Sequence, residues 1–191
     1  MGKRSGALAV RHWYWLSAAA GLALAVILLA APPVRAADNT APSPGPGSQS
    51  RLPIPRFVSL KSDKVNVRKG PSTDQAIVWV FARAGLPVEI IAESDNWRRV
   101  RDSEGADGWV WHSMLSGRRT ALIAPWSKPP ESVPLYSRKS TGASTVAELA
   151  PGVLSNVLSC DGEWCELSIE DYSGFVQQDK LWGVYKDEVV K

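Results

Sequence analysis

The sequence contains few residues of the kinds that carry out catalysis. It has two cysteines and two histidines in 191 residues, and His112 is the only histidine beyond the first forty positions. A nucleophile needs a neighbouring base, and a structural zinc ion needs more than two sulfur ligands. Neither a Cys–His nor a Ser–His–Asp arrangement can be proposed from these residues. We therefore expect no catalytic residues, no metal, no cofactor and no enzyme activity.

Long hydrophobic runs are also scarce, since a single one occurs, over residues 13–31. A basic leader over residues 3–11 precedes it, and the small-residue exit V-R-A at 34–36 follows it. This order predicts that residues 1–36 are a signal peptide removed before Ala37. Because the 19-residue run could also span a bilayer, an uncleaved anchor is the alternative. The protein is then periplasmic or secreted, or it is anchored to the inner membrane and faces the periplasm.

The excess of positive charge belongs to this first segment. Residues 1–36 hold four of the 22 basic residues and no acidic ones, so the remainder has 18 basic and 19 acidic residues, a net charge of −1. Nucleic acid is therefore not an expected partner. Residues 51–120 nevertheless carry a net charge of +4 and residues 121–191 a net charge of −4. The arginines of the first half could form a solvated face, or could meet an anionic partner or the acidic half.

Residues 37–55 are dominated by proline, glycine and serine and have almost no large apolar side chains. Such a segment buries too little surface to offset the entropy of ordering it. We predict a disordered linker there, with a polyproline ligand as the alternative.

From residue 56 onward the chain consists of short β-prone runs separated by turn residues, with no sustained helical period. The runs occur twice. Trp97 is matched by Trp164, and the G-W-V motif at 108–110 is matched by G-F-V at 174–176. The offset stays between 66 and 68 residues, which is typical of one unit used twice. We predict an all-β protein with a first domain at 56–119, a second at 120–186 and a tail at 187–191.

The two cysteines, Cys160 and Cys165, lie in the second unit and bracket an Asp-Gly turn signal. Subtracting an offset of 67 places them on Glu93 and Arg98 of the first unit, a pair of the kind that faces across a hairpin. Facing cysteines in an oxidising compartment form a disulfide, so we predict a bond between these two residues.

Several motifs in the first unit resemble the bacterial SH3-like (SH3b) domain. They are N-V-R-K-G-P-S at 66–72, N-W-R-R-V at 96–100 and G-W-V at 108–110. The stretches at 109–120 and 181–185 resemble, more narrowly, an exported two-domain family of Gram-negative bacteria. The resemblance implies two tandem SH3-like β-barrels that bind cell-wall components or proteins. The second unit lacks the N-V-R-x-G-P turn.

The repeat-matched residues are expected to form the structural core, because repeated aromatics in small barrels are usually core. These residues are Val67, Trp97, Trp109, Leu135, Trp164 and Phe175. Aromatics without a repeat partner are better candidates for an inter-domain seam or a binding surface, and arginines of the signature motifs are candidates for contact with an anionic partner. The candidates are Arg68, Trp79, Arg98, Arg99, Trp111 and Trp126.

Two classes of function fit this organisation. The first is a non-catalytic, exported cell-envelope module that binds protein partners or cell-wall peptidoglycan. The alternative is an enzyme or accessory subunit of cell-wall metabolism. We expect contact with the membrane only through an uncleaved N-terminal segment.

Overall fold

The computed structural model describes residues 45–191. The predicted signal peptide and the first part of the predicted linker lie outside these residues. No helix between residues 45 and 191 is long and apolar enough to cross a bilayer. The described chain begins with a two-stranded hairpin of β1 (Gly45–Pro46) and β2 (Pro53–Ile54).

The first barrel is one antiparallel sheet of seven strands. Its spatial order is β5-β4-β8-β7-β6-β3-β9. The strands are β3 (Arg56–Leu60), β4 (Val65–Arg68), β5 (Ile77–Phe81), β6 (Pro87–Ser94), β7 (Trp97–Arg101), β8 (Asp107–Trp111) and β9 (Leu115–Ser116). A single 3-10 turn, His112–Met114, joins β8 to β9.

The second barrel repeats the same order. Its path is β12-β11-β15-β14-β13-β10-β16, and β17 pairs with β13. The strands are β10 (Thr120–Ile123), β11 (Val133–Tyr136), β12 (Thr145–Leu149), β13 (Leu154–Asp161), β14 (Trp164–Ile169), β15 (Tyr172–Gln177), β16 (Leu181–Trp182) and β17 (Val189–Val190). The prediction of an all-β chain with two tandem barrels is confirmed. Val189 and Val190, which we placed in a tail, instead form a strand because the edge of β13 offers them backbone partners.

Each barrel closes around its own aliphatic core. Val67, Val88, Val100 and Val110 are fully buried in the first barrel. Leu135, Leu167 and Val176 are fully buried in the second. The matched glycines Gly108 and Gly174 sit where a Cβ would meet the core side chains of Val67 and Leu135. Only glycine fits this close approach of two strands, which explains why the G-W-V and G-F-V motifs begin with it.

The second part of the predicted linker, residues 47–55, is ordered against the first barrel, so the prediction of disorder was wrong there. The backbone amides of Gln49 and Ser50 donate to one oxygen of the Glu93 carboxylate at 3.0 and 2.9 Å. The Ser50 hydroxyl donates to the other oxygen at 2.6 Å. These polar bonds to a buried carboxylate replace the apolar burial that the segment lacks. A composition argument that counts only apolar side chains does not detect them.

The two barrels meet along a seam of aromatic side chains. The ring of Phe57 lies 5.1 Å edge-on to that of Trp182 and 4.7 Å from that of Tyr185. The Tyr185 hydroxyl donates to the Glu89 carboxylate at 2.8 Å, and Thr120 donates to the carbonyl of Gly85 at 2.7 Å. Burial, with the nearby Glu89 carboxylate, raises the pKa of Tyr185 well above its ordinary value. The phenol therefore stays protonated and remains a donor.

Within residues 45–191, the arginines of β7 form no ion pair with the second barrel. Arg98, Arg99 and Arg101 pair with carboxylates of their own barrel, at Glu93, Asp107 and Glu89 respectively. Docking of the acidic half onto this basic strand is therefore not the way in which the barrels meet.

The predicted disulfide between Cys160 and Cys165 is confirmed. The two residues face each other across the β13–β14 hairpin, and Glu93 and Arg98 face each other at the matching place of the first barrel. The offset of the repeat therefore predicted the register.

Replacing both cysteines with serine is expected to lower the free energy of unfolding by about 2 kcal/mol, because the bond closes a short loop in the unfolded chain. Denaturant unfolding measures the difference. Dithiothreitol should cause the same loss in the wild type and none in the double variant. An effect of dithiothreitol on the double variant would contradict the assignment.

Candidate functional site

Two of the six candidate ligand-binding residues have structural roles instead. Arg98 is buried, lies 3.3 Å from the Glu93 carboxylate and donates to the backbone carbonyl of Asp95 at 2.8 Å. Trp79 packs against the core of the first barrel, edge-on to Phe81 with ring centres 5.9 Å apart. Trp79 was a candidate because it has no repeat partner, and Arg98 because it belongs to a signature motif. Neither criterion reports which way a side chain of a strand points.

Arg68 and Arg99 lie on either side of Trp109, because β8 runs between β4 and β7. Arg68 donates to the carbonyls of Thr73 and Gln75 at 2.8 and 2.6 Å, so it holds the turn of the N-V-R-K-G-P-S motif. The Arg99 guanidinium binds the Asp107 carboxylate at 2.6 Å. The structure brings these two arginines onto one face, but both have partners within the barrel.

Trp111 is exposed at the end of β8 and packs edge-on against Trp97, with ring centres 5.2 Å apart. It therefore presents one face to solvent and one to the barrel. Trp111 is therefore a surface aromatic of the first barrel, and its ligand-binding role stays a prediction.

The predicted core residues divide into two groups. Val67, Trp97, Leu135 and Trp164 are buried, as expected. Trp109 and Phe175 are only half-buried, which corrects their assignment. Successive side chains of a strand point to opposite faces, and here the inward residues are Val110 and Val176. The repeat identified the right strands but assigned the core to the larger residue of each pair.

Trp126 stands at a cleft on the second barrel. Half of its surface (51%) is exposed, and it borders a cavity of about 270 Å³. Tyr136 lines the same cavity and packs edge-on against Trp164, with ring centres 5.8 Å apart. The polar residues Glu131, Gln177 and Lys180 also line the cavity. Aromatic faces and charges of both signs thus converge on one concave surface.

Hydrogen bonds fix the segment that carries Trp126. The amide of Ala124 donates to the carbonyl of Lys180 at 2.7 Å, and the amide of Ser127 donates to the carbonyl of Ala124 at 3.0 Å. The Ser127 hydroxyl accepts from the amide of Glu131 at 3.2 Å. The loop between β10 and β11 of the second barrel is therefore held in a defined shape, and it carries Trp126.

Trp126 also borders a second hollow, of about 400 Å³, on its other side. Ser103 and Glu104 from the β7–β8 turn of the first barrel line this hollow, together with Pro125 and Lys128. One tryptophan thus separates a cleft on the second barrel from a hollow that the first barrel helps to form.

Sequence reasoning selected Trp126 but missed the residues around it. Tyr136 occupies a repeat-matched strand, and Lys180 and Gln177 carry no motif. The proline-rich segment at 124–134 was the one available signal, since a loop of fixed shape can form the wall of a cleft.

Aromatic and polar side chains line the cleft together, which is typical of ligand-binding surfaces. Within residues 45–191, no group of three or more His, Cys, Asp or Glu side chains is arranged to hold a metal ion. Half-exposed aromatics bind apolar faces, and the charged rim orients polar groups of a ligand.

A family model described as Bacterial SH3 domain matches residues 61–117 and 129–183. No curated protein sequence matches the chain. Among solved structures, it resembles NlpC2 from Trichomonas vaginalis (17% identity, TM-score 0.31), covering 70% of this chain and 49% of that one. It also resembles NlpC1 from the same organism (18% identity, TM-score 0.31), covering 75% of this chain and 52% of that one. A third match is an NlpC/P60 family protein from Bacillus cereus (11% identity, TM-score 0.27), covering 68% of this chain and 57% of that one. The chain thus spans about half the length of the structures it matches.

Proposed function

Because the chain belongs to the bacterial SH3 domain family, we propose that it is a non-catalytic binding module of the cell envelope whose ligand is cell-wall peptidoglycan. The observation that carries the proposal is the cleft at Trp126, where a half-exposed tryptophan and Tyr136 line one cavity of about 270 Å³. Clefts of this size that combine aromatic walls with a few polar groups typically bind small or linear ligands. Flat patches more often bind proteins.

The chemistry of the cleft fits a ligand with both sugar and peptide parts. The faces of Trp126 and Tyr136 offer apolar area to a sugar ring, with little loss of side-chain freedom. Lys180 and Glu131 offer partners for carboxylate and amine groups. Peptidoglycan carries all of these groups on one chain.

The proposed location outside the cytoplasm has two supports. One is the predicted export signal at 1–36. The other is the bond between Cys160 and Cys165, since disulfides persist in oxidising compartments and are rare in the cytosol. We propose a periplasmic protein, with attachment to the inner membrane as the alternative if the signal is not removed.

Replacing Trp126 with alanine is expected to weaken binding to purified sacculi at least about tenfold, as expected for an aromatic that dominates a binding surface. Co-sedimentation of the full-length protein with sacculi, over a range of sacculus concentrations, measures the change. Tyr172→Ala is the matched control, because Tyr172 is equally exposed (51%) and does not line the cleft. It should bind as the wild type does.

Any of four results would contradict the proposal. Equal loss of binding in both variants, or none in either, would remove the cleft from the ligand-binding surface. Soluble fragments released from the sacculi would show catalysis and favour an enzyme of cell-wall metabolism. If the wild type does not sediment with sacculi, the ligand is not peptidoglycan, and crosslinking in the envelope would then identify a protein partner.

A further inference from the structure

Strand β5 forms one edge of the first barrel and is unusually apolar for an edge. Within residues 45–191 it pairs only with β4. Ile77, Val78 and Val80 are 47, 49 and 44% exposed. An exposed edge presents unpaired backbone donors and acceptors, and proteins normally protect such edges with charged side chains or bulges. No charged residue occurs between positions 75 and 82.

The second barrel carries the same strand with that protection. In each barrel the bulge lies at the same place, since Val67 pairs with Trp79 and Leu135 pairs with Ala147. The offset of 68 residues that follows from these pairs matches Val80 with Glu148. The bulge is therefore common to both edges, and the charge at Glu148 is the difference between them.

We propose that the free edge of β5 binds the same edge of a second copy of this chain in an antiparallel, two-fold symmetric pair. With Trp79 at the symmetry axis, Val78 of one copy lies opposite Val80 of the other. Asp74 precedes the strand and Arg83 follows it. Antiparallel pairing brings the acidic end of one strand beside the basic end of its copy, whereas parallel pairing brings like charges together.

The corresponding pair through β12 is disfavoured. With Ala147 at the axis, the two copies of Glu148 would lie diagonally across the strands at about 7–8 Å. Like charges at this distance repel. The first barrel is therefore the associating unit, and the cleft at Trp126 takes no part in the contact.

The contact is small, so the association is weak. A single strand pair buries less than the area of a standard stable interface, which places the dissociation constant on the order of 100 µM. Isologous two-fold contacts are the commonest form of self-association and close after two copies. We therefore expect a reversible dimer rather than a filament.

The test is sedimentation equilibrium of the full-length protein in density-matched detergent, over a range of concentrations around the expected dissociation constant. The wild type should move from monomer to dimer with rising concentration. Val80→Glu copies the second barrel and should weaken association more than about tenfold, by the loss of apolar contact and the gain of repulsion. Glu148→Val exposes a second apolar edge and should strengthen association or extend it beyond the dimer.

The unfolding midpoint of each variant shows that it has folded, since both positions are exposed on a strand. A wild type that stays monomeric at all concentrations would overturn the proposal. Val80→Glu that dimerises as the wild type does would also overturn it, because association would then use another surface. Val80→Thr, which keeps the branched shape without a charge, should retain association within a few-fold.

Discussion

Replacing Glu93 with glutamine is expected to lower the free energy of unfolding by about 3 kcal/mol, which is the typical effect of breaking a buried ion pair from one side. The Glu93 side chain has no exposed surface and lies 2.8 Å from Arg56 and 3.3 Å from Arg98. Arg98 is itself buried. Removing the negative charge leaves this guanidinium without a counter-charge, and the cost of its desolvation is no longer offset.

The same substitution should release the segment that precedes the first barrel. The amides of Gln49 and Ser50 both donate to the Glu93 carboxylate. A neutral amide is a weaker acceptor than a carboxylate. Hydrogen exchange of these two amides should therefore speed up in Glu93→Gln even under conditions where the barrels stay folded.

Stability should also depend on pH through this residue. Burial alone would raise the pKa of Glu93, but the hydrogen bonds from Ser50, Arg56 and Gln49 outweigh it and lower the pKa to about 2, from 4.5. The folded state therefore holds its proton less tightly than the unfolded state. The contribution of the ionised Glu93 carboxylate to the free energy of unfolding is complete above the pKa of the unfolded state. It is lost as the pH falls from about 4.5 towards 2. Glu93→Gln should lack this part of the acid-induced loss.

Asp107→Asn is the matched control for Glu93→Gln. It removes the ion pair between Asp107 and Arg99, whose two side chains are both partly exposed. The free energy of unfolding should therefore change by less than about 1 kcal/mol. If the two variants have similar stabilities, or if Glu93→Gln titrates as the wild type does, the buried carboxylate is not the anchor of the segment.

Replacing Phe57 with alanine is expected to lower the free energy of unfolding by about 3 kcal/mol and to separate the unfolding of the two barrels. Phe57 is buried in β3 of the first barrel, yet its ring contacts Trp182 and Tyr185 of the second. Truncation leaves a cavity in the seam itself. The barrels then lose the apolar contact that makes them unfold together.

Leu60→Ala provides the comparison, because Leu60 is buried in the same strand but belongs to the core of the first barrel. Both variants should be destabilised by a similar amount. Denaturant unfolding is monitored by tryptophan fluorescence and by circular dichroism. Only Phe57→Ala should show two transitions. A single coincident transition in Phe57→Ala would mean that the remaining contacts couple the barrels without the ring.

The repeat was the most informative property of the sequence. Because one unit is used twice, the offset predicted which residues face each other, and it placed Cys160 opposite Cys165 on the evidence of Glu93 and Arg98. The offset also marked the strands that approach closely at Gly108 and Gly174. What a repeat cannot predict is the place where its two copies differ in role.

The seam shows this limit most clearly. By the offset of 66, Trp182 stands where the first unit has Ser116 and Tyr185 stands where it has Arg119, so neither aromatic is repeated. Phe57 stands at the start of the first unit and looks like an ordinary strand residue. Their contact joins positions more than 120 residues apart in the chain, and no local pattern reports such a distance.

Sequence by itself determined the all-β class, the two tandem units and the pairing of the cysteines. Alternation, turn residues and a fixed repeat offset are all properties of the order of residues along the chain. Only the tertiary structure decided which bulky side chains face outward. It packed the partly buried Trp79 against the core, left Trp109 half-buried, and made Trp126 and Tyr136 line one cleft. The reason is physical: strand faces are set by bulges and by packing between distant strands, and a cleft exists only where separate segments meet.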